Sequence, residues 1–150
     1  MDEDYTERSV RLGDETTVME DTTPENAYLH KIAKKAIKQV ERYLDTTEWK
    51  RIGKQQGVKW YMAKTTDTNK CIRSVGQINA EFEDIVYKLR NLRSSEHNPW
   101  ISEFKILKSI SNKSRIEYVK EKRVTVAPRD YCLLTTEMKS EFKYILASIS

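Results

Sequence analysis

Apolar residues recur at three- and four-residue steps from Leu29 through Ile32, Ala33, Ala36, Ile37, Val40 and Tyr43 to Leu44, and directly afterwards the period falls to two. No other feature restricts the fold as strongly. A helix with one apolar stripe needs a surface to bury it against, and strands with alternating residues supply that surface. Lys31, Lys34, Lys35, Lys38 and Arg42 take the opposite side of the helix. Thr23-Pro24-Glu25 opens it: the threonine can cap, proline at the first position has no N–H to waste, and the acid meets the positive end of the dipole. The spacing predicts a helix from Pro24 to about Asp45.

Trp49–Gln55 and Val58–Lys64 read as strands around a Gln56-Gly57 turn, where glycine tolerates positive φ. Cys71–Ile78 reads as a third strand, and helical spacing returns over Ala80–Leu92. Phe104–Ile110 pairs with Arg115–Val124 around Ser111-Asn112-Lys113, and Arg129–Glu137 with Phe142–Ile149 around Lys139-Ser140. Helix, three strands, helix, four strands, joined by hairpins, is the order of an α+β domain on antiparallel strands.

The chain has 150 residues, enough for one domain with its own core. An apolar share of 38% beside 33% charged residues fits a folded domain carrying a disordered segment. That segment is the start: nine acids against Arg8 and Arg11 give residues 1–25 a charge of −7, leaving +11 for the rest of a +4 chain. Residues 1–23 are therefore read as a disordered acidic leader and 24–150 as the domain. The acidic, apolar-poor beginning and the lack of a long apolar run argue against secretion and membrane spanning, and for the cytoplasm. Cys71 and Cys132 lack CxxC spacing and read as reduced, small core residues.

Signs of catalysis are scarce. His30 lies on the first helix and His97 in a loop, neither with a local nucleophile or carboxylate pattern that marks a triad. Four glycines, never spaced as GxGxxG or GxxxxGK[ST], give no nucleotide cradle. Glu81, Glu83 and Asp84 suit a helix N-terminus better than a metal. No enzyme activity, metal or cofactor is expected. A basic body with Trp49, Trp60 and Trp100 raises nucleic-acid binding as a rival, but the basic residues are spread over all elements and form no stripe, so a nucleic-acid partner is not expected.

Glu96-His97-Asn98-Pro99-Trp100-Ile101-Ser102-Glu103-Phe104-Lys105-Ile106-Leu107, followed by Ala127-Pro128-Arg129-Asp130-Tyr131, resembles the StAR-related lipid-transfer (START) family. Upstream, Trp49-Lys50, Val58-Lys59-Trp60-Tyr61 and Val75-Gly76-Gln77-Ile78 fit the same pattern, so the resemblance runs over about 27–150. It implies a helix-grip fold: an antiparallel curved sheet around a long C-terminal helix, enclosing a tunnel for one lipid carried between membranes, with transient membrane contact. The family continues past the last strand with two more strands and that lid helix, so the domain is expected to be incomplete at its C-terminus.

The resemblance also implies site residues. Ile116 and Tyr118 on one strand, Tyr131, Leu133 and Thr135 on the next, and Trp100 before them are expected to line the tunnel. In family members that bind phosphatidylcholine, the positions matching Tyr118 and Tyr131 are aromatic and meet the choline, a cation–π pairing. Pro128, Arg129 and Asp130 match the family motif, the last two expected as an ion pair at the strand's start. The steroidogenic branch has a buried acid–arginine pair whose arginine position is Thr135 here, so that pair is expected to be absent. The phosphatidylcholine branch has an arginine and an aspartate where His97 and Ile101 stand. The short leader and the Trp49-to-Gly76 spacing resemble the small, soluble, sterol-type START proteins, which implies sterol ahead of phospholipid. The alternative reading is a truncated protein-interaction module that pairs through its open sheet edge without lipid cargo.

Overall fold

The computed structural model describes residues 23–46, 48–64, 70–94, 96, 98–122 and 127–150. Apart from Thr23, the acidic leader falls outside these residues, as does His97. Helix α1 runs Pro24–Thr46. The Asn26 N–H donates to Thr23 Oγ1 (3.4 Å) and the Ala27 N–H to the Thr23 carbonyl (3.0 Å), so the cap read from the sequence is formed. Strands β1 (Lys50–Gln55), β2 (Val58–Lys64) and β3 (Lys70–Val75) follow, then α2 (Phe82–Arg90). Strands β4 (Ile101–Ser109), β5 (Ser114–Glu121), β6 (Asp130–Lys139) and β7 (Tyr144–Ile149) complete the order.

The element order is the expected one, but the strands form two antiparallel sheets, β1-β2-β3 and β4-β5-β6-β7, that do not join among the described residues. Gln56 (φ 48°) and Gly57 (φ 82°) turn β1 into β2 with positive φ at both positions, the twist a two-residue hairpin requires. Nothing crowds a Cβ at Gly57, so its cost there is conformational alone. Gly57→Ala is expected to destabilise by about 1 kcal/mol, read as a lower urea midpoint with an unchanged slope.

The core lies where α1 crosses the larger sheet. Ala33, Ala36 and Ile37 are buried, the alanines allowing close approach, and the helix packs on Ile110 and Leu134 at one end and on Ile145 and Ala147 at the other. Each large aliphatic side chain so buried contributes about 1.5–3 kcal/mol. Tyr43 and Leu44, in the expected stripe, stay exposed.

Two readings of the last hairpin are corrected. Phe142 belongs to the Ser140–Lys143 turn, closed by Ser140 N–H to the Lys143 carbonyl (2.8 Å), and is 85% exposed. Strand β6 accordingly extends to Lys139. Cys132, read as a core residue, is exposed on β6, while Cys71 is half-buried; both are free thiols.

Candidate functional site

The register between β5 and β6 decides which side chains meet. Ile116 pairs with Leu134 and Tyr118 with Cys132, whereas Arg115 pairs with Thr135, Glu117 with Leu133 and Val119 with Tyr131. Directly paired residues of an antiparallel ladder point to the same face. Ile116 and Tyr118 therefore lie on one face, and Tyr131, Leu133 and Thr135 on the other. The expected single row is thus split. Ile116 packs against α1 with Leu134. Tyr118 donates to the Asp130 carboxylate (3.3 Å), and its phenol is raised by burial and then by that carboxylate. The reason the sequence misled is the long β5–β6 connection: a shift of one residue exchanges the faces, and nothing local in that loop fixes it.

The face away from α1 carries an apolar row. Phe104 and Ile106 on β4, Val119 on β5, Tyr131 and Leu133 on β6, and Leu146 on β7 share it by register. Of these Val119 is buried, Ile106 is 53% exposed and the others are half-buried. Within this row stands a carboxylate the sequence reading did not single out. Glu117 is 1% exposed. Its Oε2 accepts from Arg93 Nη1 (2.6 Å) and Thr135 Oγ1 (2.8 Å), and its Oε1 from Arg115 Nε (2.5 Å). Thr135 is also 1% exposed and has one proton, which goes to Glu117. Its oxygen accepts from Arg93 Nη1 (2.9 Å), so in the contact with Ser148 Oγ (2.9 Å) Ser148 donates. Arg93 Nη2 in turn donates to Ser148 Oγ (2.8 Å).

A buried acid–arginine pair is therefore present, contrary to the expectation from Thr135. The acid stands on the strand holding Ile116, as the resemblance has it. The guanidinium comes instead from Arg93, just past α2, and from Arg115, while Thr135 bridges. Arg115 and Glu117, alternating with Ile116 and Tyr118, could have raised it, had both faces of the strand been considered to bury side chains.

A second cluster borders the first. Arg90 holds Glu137 with two bonds, Nε to Oε2 (2.8 Å) and Nη2 to Oε1 (2.6 Å), and Tyr144 Oη donates to Oε2 (2.6 Å). Burial pushes the Glu137 carboxyl up, but hydrogen bonds from Arg90 and Tyr144 and the guanidinium charge outweigh it and hold it below its usual range. Burial, with Glu137 beside it, pushes the Tyr144 phenol up to about 12.

These shifts have opposite signs in stability. Glu137 contributes above the unfolded carboxyl value of about 4.3, and the contribution is lost as pH falls through the lowered value. Tyr144 contributes fully below about pH 10, and that part is lost as pH rises through its folded value. Between those alkaline limits the parent is expected to lose about 1 kcal/mol relative to Tyr144→Phe, the full effect being reduced because the phenol is partly exposed. Urea midpoints of both proteins across this range measure it.

The remaining expected residues are not drawn into the row. Trp100 is 59% exposed before β4, its backbone N–H donating to Asn98 Oδ1 (3.0 Å). Pro128, Arg129 and Asp130 are exposed where β6 begins, and the Arg129 carbonyl accepts from the Glu121 N–H (2.8 Å). Among the described residues Arg129 and Asp130 form no ion pair, because Asp130 faces Tyr118 instead. Ile101 is buried.

An amphipathic helix on one face of a meander sheet, and a second helix end pinned to the other by buried charge, define a known class. The chain has the START-like, helix-grip fold, α+β, with sheets that do not close among the described residues. It is similar in structure to human StAR-related lipid transfer protein 5, with a TM-score of 0.69 at 16% sequence identity, covering 82% of this chain and 62% of that one. It is also similar to the human StarD13 (DLC2) lipid transfer and protein localization domain, with a TM-score of 0.62 at 16% identity, covering 75% and 59%. The chain thus spans about three-fifths of each. No family model and no curated protein matches its sequence. No helix among the described residues is long and apolar enough to cross a membrane.

Proposed function

We propose that this chain is part of a lipid-binding and lipid-transfer domain that holds one lipid against the face carrying Tyr131, Leu133 and Leu146 and moves it between membranes without chemical change. The observation that carries the reading is the pairing of that apolar row with the buried Glu117–Arg93–Thr135 cluster. A row of half-buried apolar side chains suits a chain or ring system, and a few placed polar groups give it an orientation. Glu117 itself is sealed, so a ligand hydroxyl meets the outer members, Arg93 and Ser148.

A sterol is favoured over a phospholipid. One hydroxyl is satisfied by one charged cluster. At one of the two positions where the phosphatidylcholine branch has charge, this chain has the buried, apolar Ile101. Thr135, Leu133 and Tyr131 are the site residues retained from the resemblance; Tyr118, Ile116 and Trp100 are not. The carrier would work in the cytoplasm, touch membranes briefly, and need no cofactor or nucleic acid. Titration with a fluorescent sterol and with a fluorescent phosphatidylcholine tests the reading. Saturable binding, tighter for the sterol, is expected, and no saturable binding of either lipid overturns it.

A further inference from the structure

We propose that the cavity between α1 and the β4–β5 turn, on the sheet face opposite Glu117, binds a phosphate monoester. The cavity measures about 600 Å³, within the range of about 300–1,000 Å³ common to small-ligand sites. Its floor is hydroxyl: Ser114 and Thr136, each 5% exposed, share a hydrogen bond of 2.8 Å across the β5–β6 pair. One wall is α1, where His30, Lys34 and Lys38 follow at four-residue steps on one side of the helix. The facing wall is the turn, with Ser111 and Lys113.

Three lysines thus line one space, and among the described residues none of them has a carboxylate within ion-pair distance. The two acids that border the cavity are engaged elsewhere. Glu41 is held by Lys143 (2.5 Å), and Glu137 turns its carboxylate to Arg90 and Tyr144 on the far face. Like charges one helical turn apart repel, so Lys34 and Lys38 are a liability until an anion joins them.

The second observation is His30. Its Nε2 is buried with no hydrogen-bond partner among the described residues, an arrangement native proteins seldom leave unmet. The ring walls the cavity. Ser111 Oγ accepts from the Lys113 and Ser114 N–H groups (3.2 and 3.1 Å), which frees its own proton to donate. A phosphate monoester carries roughly −1.5 to −2 charges and three strong acceptor oxygens. That matches three lysines, an imidazole and a hydroxyl better than a single carboxylate does, and the remaining volume accepts the group that bears the phosphate.

The test uses the full chain. Inorganic phosphate is titrated while the His30 imidazole signals are followed by NMR. The chain has two histidines, so His97→Gln assigns them. In parallel the chain is floated with phosphatidylcholine vesicles containing a minor fraction of phosphatidic acid or, at matched charge, phosphatidylserine. Phosphate is expected to shift His30 saturably, and Lys38→Gln with Lys113→Gln to weaken binding about a hundredfold, about tenfold for each lost charged bond, with thermal melting unchanged. A preference for phosphatidic acid that free phosphate competes away identifies a lipid headgroup as the source. Phosphate binding without that preference identifies a free phosphorylated molecule. His30 signals that do not move, or a double variant that binds like the parent, overturn the proposal. Because the cavity and the apolar row lie on opposite faces, either result is independent of lipid binding at Leu133.

Discussion

Replacing Glu117 with alanine is expected to destabilise the chain by about 3 kcal/mol, the low end of the range for breaking a buried ion pair. The carboxylate is 1% exposed and takes hydrogen bonds from Arg93, Arg115 and Thr135. Its removal strands two guanidinium groups whose side chains are 28% and 24% exposed. That partial exposure lets them turn toward water and keeps the cost from the top of the range. Glu117→Gln keeps the shape but sets an amide N–H₂ among donors, and is expected to cost less, about 1–2 kcal/mol. Replacing Glu117 with leucine and both Arg93 and Arg115 with methionine removes the acid with both of its guanidinium partners and is expected to recover much of the loss. Urea denaturation of the three proteins measures this. An alanine variant as stable as the parent would show that Glu117 holds nothing together.

The second large effect concerns the ligand. Leu133→Glu is expected to lower lipid affinity more than tenfold, because it forfeits the roughly 1.5–3 kcal/mol of a buried leucine and sets a carboxylate in the apolar row opposite Glu117. Tyr118→Phe, on the other face, is expected to leave affinity unchanged, since it removes only the contact with Asp130. The same lipid titration reads both. A loss at Tyr118 with none at Leu133 would put the ligand on the α1 side and reverse the assignment of faces.

Most of the architecture was legible in the sequence because period and turn chemistry are local. The cap at Thr23, the alanines that let α1 approach the sheet, and the Gln56-Gly57 turn need only neighbouring residues to specify them. The strands that carry the candidate site were legible, and the face it takes on each was not. Alternation places Tyr131, Leu133 and Thr135 together, but it cannot say which half of β5 joins them, because both faces of the larger sheet bury side chains: α1 packs on Ile116 and Leu134, and Arg93 reaches Glu117 from the other side. In a half-solvated sheet, Arg115 and Glu117 would be read as the wet side. Here they are the sealed one. Arg93 was out of reach for a different reason: it follows α2, and only the tertiary fold brings it 24 residues along the chain to Glu117. The split of the strands into two sheets is likewise a matter of long-range pairing, on which hairpin signals are silent.

The assignment of the lipid to the Glu117 face is tested most directly by photo-crosslinking with a sterol that carries a diazirine, followed by mass-spectrometric mapping of the labelled peptides. Labels at Tyr131, Leu133, Leu146 or Ile106, suppressed by excess unlabelled sterol, are the expected result. Competable labels confined to Ile116, Tyr118 or the residues of α1 would contradict it.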